Sequence, residues 1–134
     1  MKELTIEARK ENLADVLAFV DGVMEEEGCP LKVQMKVDVA VEEIFVNIAS
    51  YAYGEGGGNA LIRAGKTDGG LFEITFIDEG VPYDPTAKED PDVSLSAEER
   101  PIGGLGIFLA FKGMDEVKYE YTEGRNNLTL RKRC

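Results

Sequence analysis

Three short segments, each lying where one kind of secondary structure gives way to another, constrain this chain more than its composition does. EEIFVN (Glu42 to Asn47) closes an amphipathic helical stretch. DEGVPYDP (Asp78 to Pro85) follows an apolar, strand-like run. GGLGIFLA (Gly103 to Ala110) is a glycine-rich turn that opens a helix. The first sets a carboxylate, Glu43, and an amide, Asn47, one helical turn apart on a shared face. Each segment also admits an ordinary reading: an incidental polar pair, a turn rich in Asp, Gly and Pro, a flexible hinge. Their order and spacing within one small chain is the stronger signal.

The pattern around them supplies the framework. Residues 2–8 (KELTIEA) alternate weakly and suit an edge strand. Leu13, Val16, Leu17, Val20 and Met24 recur at helical spacing, and Gly28 suits the position that ends that helix. A second helix is predicted over about 30–51, with Pro30 at its favoured first position. Val33, Val37, Ala40, Ile44 and Ile48 form one apolar stripe on it, and Val39 and Val46 form a second patch elsewhere. Glu43 and Asn47 fall between the two, whereas Asp38 and Glu42 suit a solvent face. Residues 59–65 and 71–77 read as a β-hairpin, with Phe72, Ile74 and Phe76 pointing one way.

Residues 83–102 are rich in Asp, Glu and Pro with little apolar periodicity, as expected of a lid or a disordered segment. A helix over about 105–113 follows. A last hairpin, 116–121 with 127–132, is predicted to turn at Glu123 to Asn126. The order is β-αα-ββ-lid-α-ββ. It implies an α/β (α+β) fold: a two-layer sandwich whose mixed, mostly antiparallel sheet carries helices on one face.

At 134 residues the chain is expected to form one domain, 1–134. A net charge of −11 disfavours direct nucleic-acid binding, which runs on phosphate neutralisation. No apolar run approaches the roughly 20 residues of a membrane helix, and the N-terminus lacks a secretory signal, so a cytoplasmic location is expected. The two cysteines, Cys29 and Cys134, show no metal-ligand spacing; Cys29 suits a helix start and Cys134 a free tail thiol. The chain has no histidine, so any general base must be Asp, Glu, Lys or Tyr.

Side-chain chemistry then points to a ligand. The Asn47 amide oxygen is a hard, neutral ligand suited to Mg²⁺ that keeps waters and phosphate oxygens. Glu43 could take a proton from an attacking hydroxyl or orient a water. Asp78 can accept the exocyclic amine of adenine, and Gly80 allows close approach of the backbone to a base. Glycines before a helix leave amides open to phosphate. No GK[ST] follows, so this is not a Walker A loop, and no first strand precedes it, so it is not a Rossmann turn.

The three segments, with RPIGGLGIFL, MDEVKYEY and the closing NNLTLRKR, resemble the N, G1 and G2 boxes of the GHKL ATPase superfamily, whose fold is the Bergerat sandwich. Within it the likeness is to small serine kinases that act as anti-sigma factors, and it spans nearly the whole chain. The resemblance implies ATP and Mg²⁺ as cofactors, Asn47 on Mg²⁺, Glu43 as catalytic base, and Asp78 on adenine with Gly80 beside it. It implies Gly104 and Gly106 on the phosphates, Arg100 reaching the γ-phosphate, and residues 86–102 as the ATP lid. It further implies a small anti-anti-sigma protein as substrate, a sigma factor as a second partner, and a homodimer. Tyr51 stands where several relatives carry histidine. The alternative is an ATP- or ADP-gated binding module that sequesters a regulatory protein without catalysis.

Overall fold

The structure, a computed structural model, describes residues 1–87 and 104–134. Five strands form one sheet: β1 (Lys2–Glu7), β2 (Asn59–Lys66), β3 (Leu71–Asp78), β4 (Glu116–Thr122) and β5 (Arg125–Arg133). Their order is β1-β2-β3-β5-β4, and every pairing is antiparallel, where the sequence reading allowed a mixed sheet. β1 lies at an edge, as expected. Three helices, α1 (Leu13–Glu26), α2 (Leu31–Asn47) and α3 (Gly104–Lys112), supply the second layer.

Strand alternation assigns the two faces of the sheet. Ala60, Ile62, Ala64, Phe72, Ile74, Phe76, Leu128 and Leu130 point inward and are buried with Val16, Val20 and Met24 of α1 and Val37, Ala40, Val41, Ile44 and Phe45 of α2. The opposite face is polar and laced across strands: Arg63 to Glu3, Arg131 to Glu73 and Glu116, and Thr75 to Thr129. A sheet with one apolar and one solvated face is the two-layer solution.

The helix ends follow their residues. Gly28 adopts φ +76° beyond α1, donating to the Glu25 carbonyl while Cys29 N–H reaches back to Met24 O at 2.9 Å. That is the Schellman arrangement, and glycine carries no Cβ penalty there. Pro30 caps α2 in an extended conformation rather than occupying its first turn. The C-terminal end of β5 returns beside this turn, and Cys134 forms a disulfide with Cys29, their Cα atoms 5.2 Å apart. The expectation of a free Cys134 thiol is therefore corrected. A pairing across 105 residues leaves no local spacing signal.

Two further expectations change. The last hairpin turns at Glu123 and Gly124 alone, both with positive φ (54° and 75°), as a two-residue turn between antiparallel strands requires. Asn126 therefore belongs to β5 rather than to the turn. Asp38 is half-buried against Asp21 of α1 rather than on a solvent face. Burial, then its hydrogen bond and repulsion with the Asp21 carboxylate, push the Asp38 carboxyl up to about 7.

Candidate functional site

The site begins where α2 loses its regular pitch. After Asn47 the chain runs through a π turn, Ile48–Ala52, which swings it toward the end of β3. Such wide turns recur at functional sites. The Ala52 carbonyl accepts Val81 N–H at 2.9 Å. A Cβ on Gly80 would lie 2.2 Å from that same oxygen, so only glycine permits this approach. Tyr53 ties the junction from the other side: its hydroxyl donates to Asn59 O and accepts Glu79 N–H. The end of α2 and the end of β3 are thus locked together, which brings Asn47 and Asp78 to one cavity.

That cavity has a volume of about 360 Å³, within the range of small-molecule pockets. Apolar groups dominate its walls, among them Ile44, Ile48, Phe76, Ile107 and Leu128, with Tyr51 and Tyr83 at its margin. Asp78 closes β3 and is buried. Its Oδ1 accepts Gly80 N–H and Asn126 Nδ2–H, each at 2.9 Å. Its other oxygen has no protein partner among the described residues.

Asn126 is a cavity-lining residue that the sequence reading misses. It sits opposite Asp78 in the β3–β5 register and beside Tyr121 in the β4–β5 register. Its amide donates to Asp78 and to Val81 O, and its carbonyl accepts Tyr83 N–H and the Tyr119 hydroxyl. Burial, with the nearby Asp84 and Asp78 charges, raises the Tyr119 phenol above its ordinary value, which keeps it a donor. The local sequence signal was an NN pair two residues after Gly124, and assigning Asn126 to the turn hid it.

The other end of the cavity is built differently. Asn47 lines it and forms no side-chain hydrogen bond among the described residues. Glu43, one turn earlier, is half-buried against the first turn of α3: a Cβ on Gly106 would lie 2.3 Å from its Oε2. Glycine there lets the carboxylate and the helix start approach each other, where the helix dipole favours negative charge. Gly104 opens α3, as expected. Asn47 and Asp78 thus line one cavity, with Gly80 packed on Ala52 of its wall and Glu43 packed on Gly106, next to Ile107 of its wall. Arg100 and residues 88–102 of the expected lid lie outside the described residues.

The donor set suits a nucleotide. Asp78 presents an uncommitted carboxylate oxygen at an apolar slot, the complement of an amine-bearing base. Asn47 and the start of α3 suit a cation and phosphates. No group of three or more His, Cys, Asp or Glu side chains forms a metal cage among the described residues, so a cation held through Asn47 would share phosphate oxygens and water.

Fold and site together define a nucleotide-binding sandwich, and the comparisons agree. The model of the histidine kinase-like ATPase domain matches residues 6–132, and the chain belongs to that family. Serine-protein kinase RsbW from Bacillus cereus (strain AH187) is 31% identical over 126 residues, covering 91% of this chain and 78% of that protein. RsbW from Bacillus thuringiensis (strain Al Hakam) matches to the same extent. Among solved structures, the RsbU and RsbW domains of a Mycobacterium tuberculosis protein superpose with a TM-score of 0.68 at 18% identity. The match covers 99% of this chain and about a third, 32%, of that one. SiaB in the SiaB–SiaC complex of Pseudomonas aeruginosa superposes with a TM-score of 0.59 at 17% identity, over 98% of this chain and 89% of that chain. No helix among the described residues is long and apolar enough to cross a membrane.

Proposed function

We propose that the chain, acting as a single ATP-binding unit over residues 1–134, is an ATP-dependent protein serine/threonine kinase of the anti-sigma-factor type. Its substrate would be a hydroxyl on a small anti-anti-sigma protein in a partner-switching pathway. A sigma factor is the second expected partner, and the working form is a homodimer. The observation that carries the reading is that Asn47 and Asp78 line one cavity with Ile107 of α3, while Glu43, one turn before Asn47, packs on Gly106 beside Ile107. The family membership and the RsbW relatives support it.

Bound Mg-ATP would supply the transferable phosphoryl group and neutralise its charge; the chain's part is positioning and proton handling. Asp78, oriented by Asn126 and Gly80, selects adenine by accepting its amine. The apolar walls exclude water from the base. Asn47 would hold Mg²⁺ through its amide oxygen, and the α3 amides near Gly104 and Gly106 would serve the phosphates. Glu43 takes the proton from the incoming serine or threonine oxygen. By the family resemblance, the lid would be residues 86–102 and Arg100 would serve the γ-phosphate.

The test is transfer of labelled γ-phosphate to a co-purified anti-anti-sigma partner. Glu43→Gln should lower the rate by about 10²–10⁴-fold, the usual contribution of a positioned base, while ATP affinity stays nearly unchanged. Unchanged transfer would remove Glu43 from its role. Nucleotide-dependent partner binding without any phosphorylated product would replace the kinase by an ATP-gated sequestering module.

A further inference from the structure

We propose that the outward face of α2, with the adjoining edge of α3, is a docking surface for an acidic amphipathic helix of the phosphorylated protein, a proposal that rests on the kinase reading. Leu31, Met35 and Val39 stand at i, i+4 and i+8 and are 69%, 62% and 53% exposed. Their spacing makes one continuous row about 12 Å long. Leu109, 56% exposed, adds to it from α3, which packs along α2 through Gly106 at Glu43 and Gly113 at Lys36. The remaining exposed large apolar side chains among the described residues lie elsewhere. Tyr51, Val81 and Tyr83 border the nucleotide cavity, Tyr121 follows Tyr119 on β4, and Met1 is terminal. Among the described residues, and outside the cavity, exposed apolar surface is densest on this one face, as at a partner site.

Charge selects the occupant. The chain carries 26 acidic and 15 basic residues, and most cations on the sheet side are engaged in ion pairs, among them Lys2, Arg9, Arg63, Arg125, Arg131 and Lys132. Lys32 and Lys36 flank the α2 row, and Lys112 stands on α3 over the Phe108 ring. None of these three forms an ion pair among the described residues. An apolar row flanked by lysines that form no ion pair among the described residues, with exposed Glu42 only beyond its Val39 end, disfavours a second copy of itself and complements a helix with apolar anchors and Glu or Asp at its flanks. The row also leads toward the chemistry. Glu43 follows Val39 by one turn, about 6 Å of rise, so a helix seated on Leu31 to Val39 brings the adjoining part of its protein to the candidate base.

The experiment uses the full chain without nucleotide and a synthetic 20-residue helical peptide with leucines at i, i+4, i+7 and i+11 flanked by glutamates. A counterpart carries lysine at every glutamate. Anisotropy gives affinity and amide shifts give the site. The acidic peptide should bind with shifts centred on 31–39 and bind at least about tenfold more tightly than the basic one. The exposed-site pair Met35→Glu with Lys36→Glu should weaken it by about tenfold or more and leave Mg-ADP affinity within about twofold. Equal or absent binding of the two peptides, shifts centred elsewhere, or indifference to the substitutions would overturn the proposal. So would sedimentation showing that Met35→Glu abolishes self-association, because a second copy would then cover the face. Failure of phosphate transfer alone leaves the peptide result standing.

Discussion

The two ends of the nucleotide cavity are built on opposite plans. At the end assigned to the base, Asp78, Asn126, Tyr119, Gly80 and Val81 form one hydrogen-bond network that leaves only the second Asp78 oxygen uncommitted among the described residues. At the end assigned to phosphate, the side chains of Glu43 and Asn47 carry no hydrogen bonds among the described residues, and Glu43 stands against Gly106. A buried, satisfied network holds one geometry and is costly to break. Uncommitted side chains cost little to remove and are available to a ligand. On the proposed reading, recognition of the base would be pre-organised, and the groups assigned to phosphate and proton would be left free to respond.

Substitutions can break or sharpen this contrast. Gly80→Ala strikes the joint that holds both ends together, since its Cβ would meet Ala52 O at 2.2 Å. The loss of stability should be about 3 kcal/mol, typical of forced overpacking, seen as a lower urea midpoint. Asn126→Ala leaves Asp78 Oδ1 and the Tyr119 hydroxyl short of a partner and should cost about 2 kcal/mol together with weaker nucleotide binding. If either variant matched the parent in stability, the base end would not be the rigid one.

The smallest effect lies on α2 between the two helices. Asp38 has its carboxyl raised to about 7 from an ordinary 3.8. The folded chain then holds a proton that the unfolded chain releases, so stability falls as pH rises from about 4 to about 7. Asp38→Asn removes this loss. It should be more stable than the parent at pH 8 by about 1 kcal/mol after allowance for solvent screening, and the two should converge below pH 4. Midpoints that keep a constant difference across this range would remove the linkage.

The legible parts of the chain were those with local signals. The stripe of Val37, Ala40 and Ile44, the alternation of Phe72, Ile74 and Phe76, and Gly28 after α1 each announce an element through its own period or φ requirement. Glu43, Asn47, Asp78, Gly80 and Gly106 stood out because their residue types fit element ends. Asn126 did not, because Glu123 takes a positive φ that its side chain does not advertise, and the shorter turn moves Asn126 into the strand. The Cys29–Cys134 pairing, the Asp21–Asp38 contact and the π turn depend on tertiary packing and leave no period to read.

Calorimetric titration of the parent and of Asp78→Asn with Mg-ADP tests the central claim most directly. The account predicts a single saturable site in the parent and a loss of at least about 100-fold in affinity in Asp78→Asn, since a buried carboxylate acceptor is replaced by an amide that cannot serve a base amine equally. No binding by the parent, or equal binding by the variant with its fold intact, would contradict it.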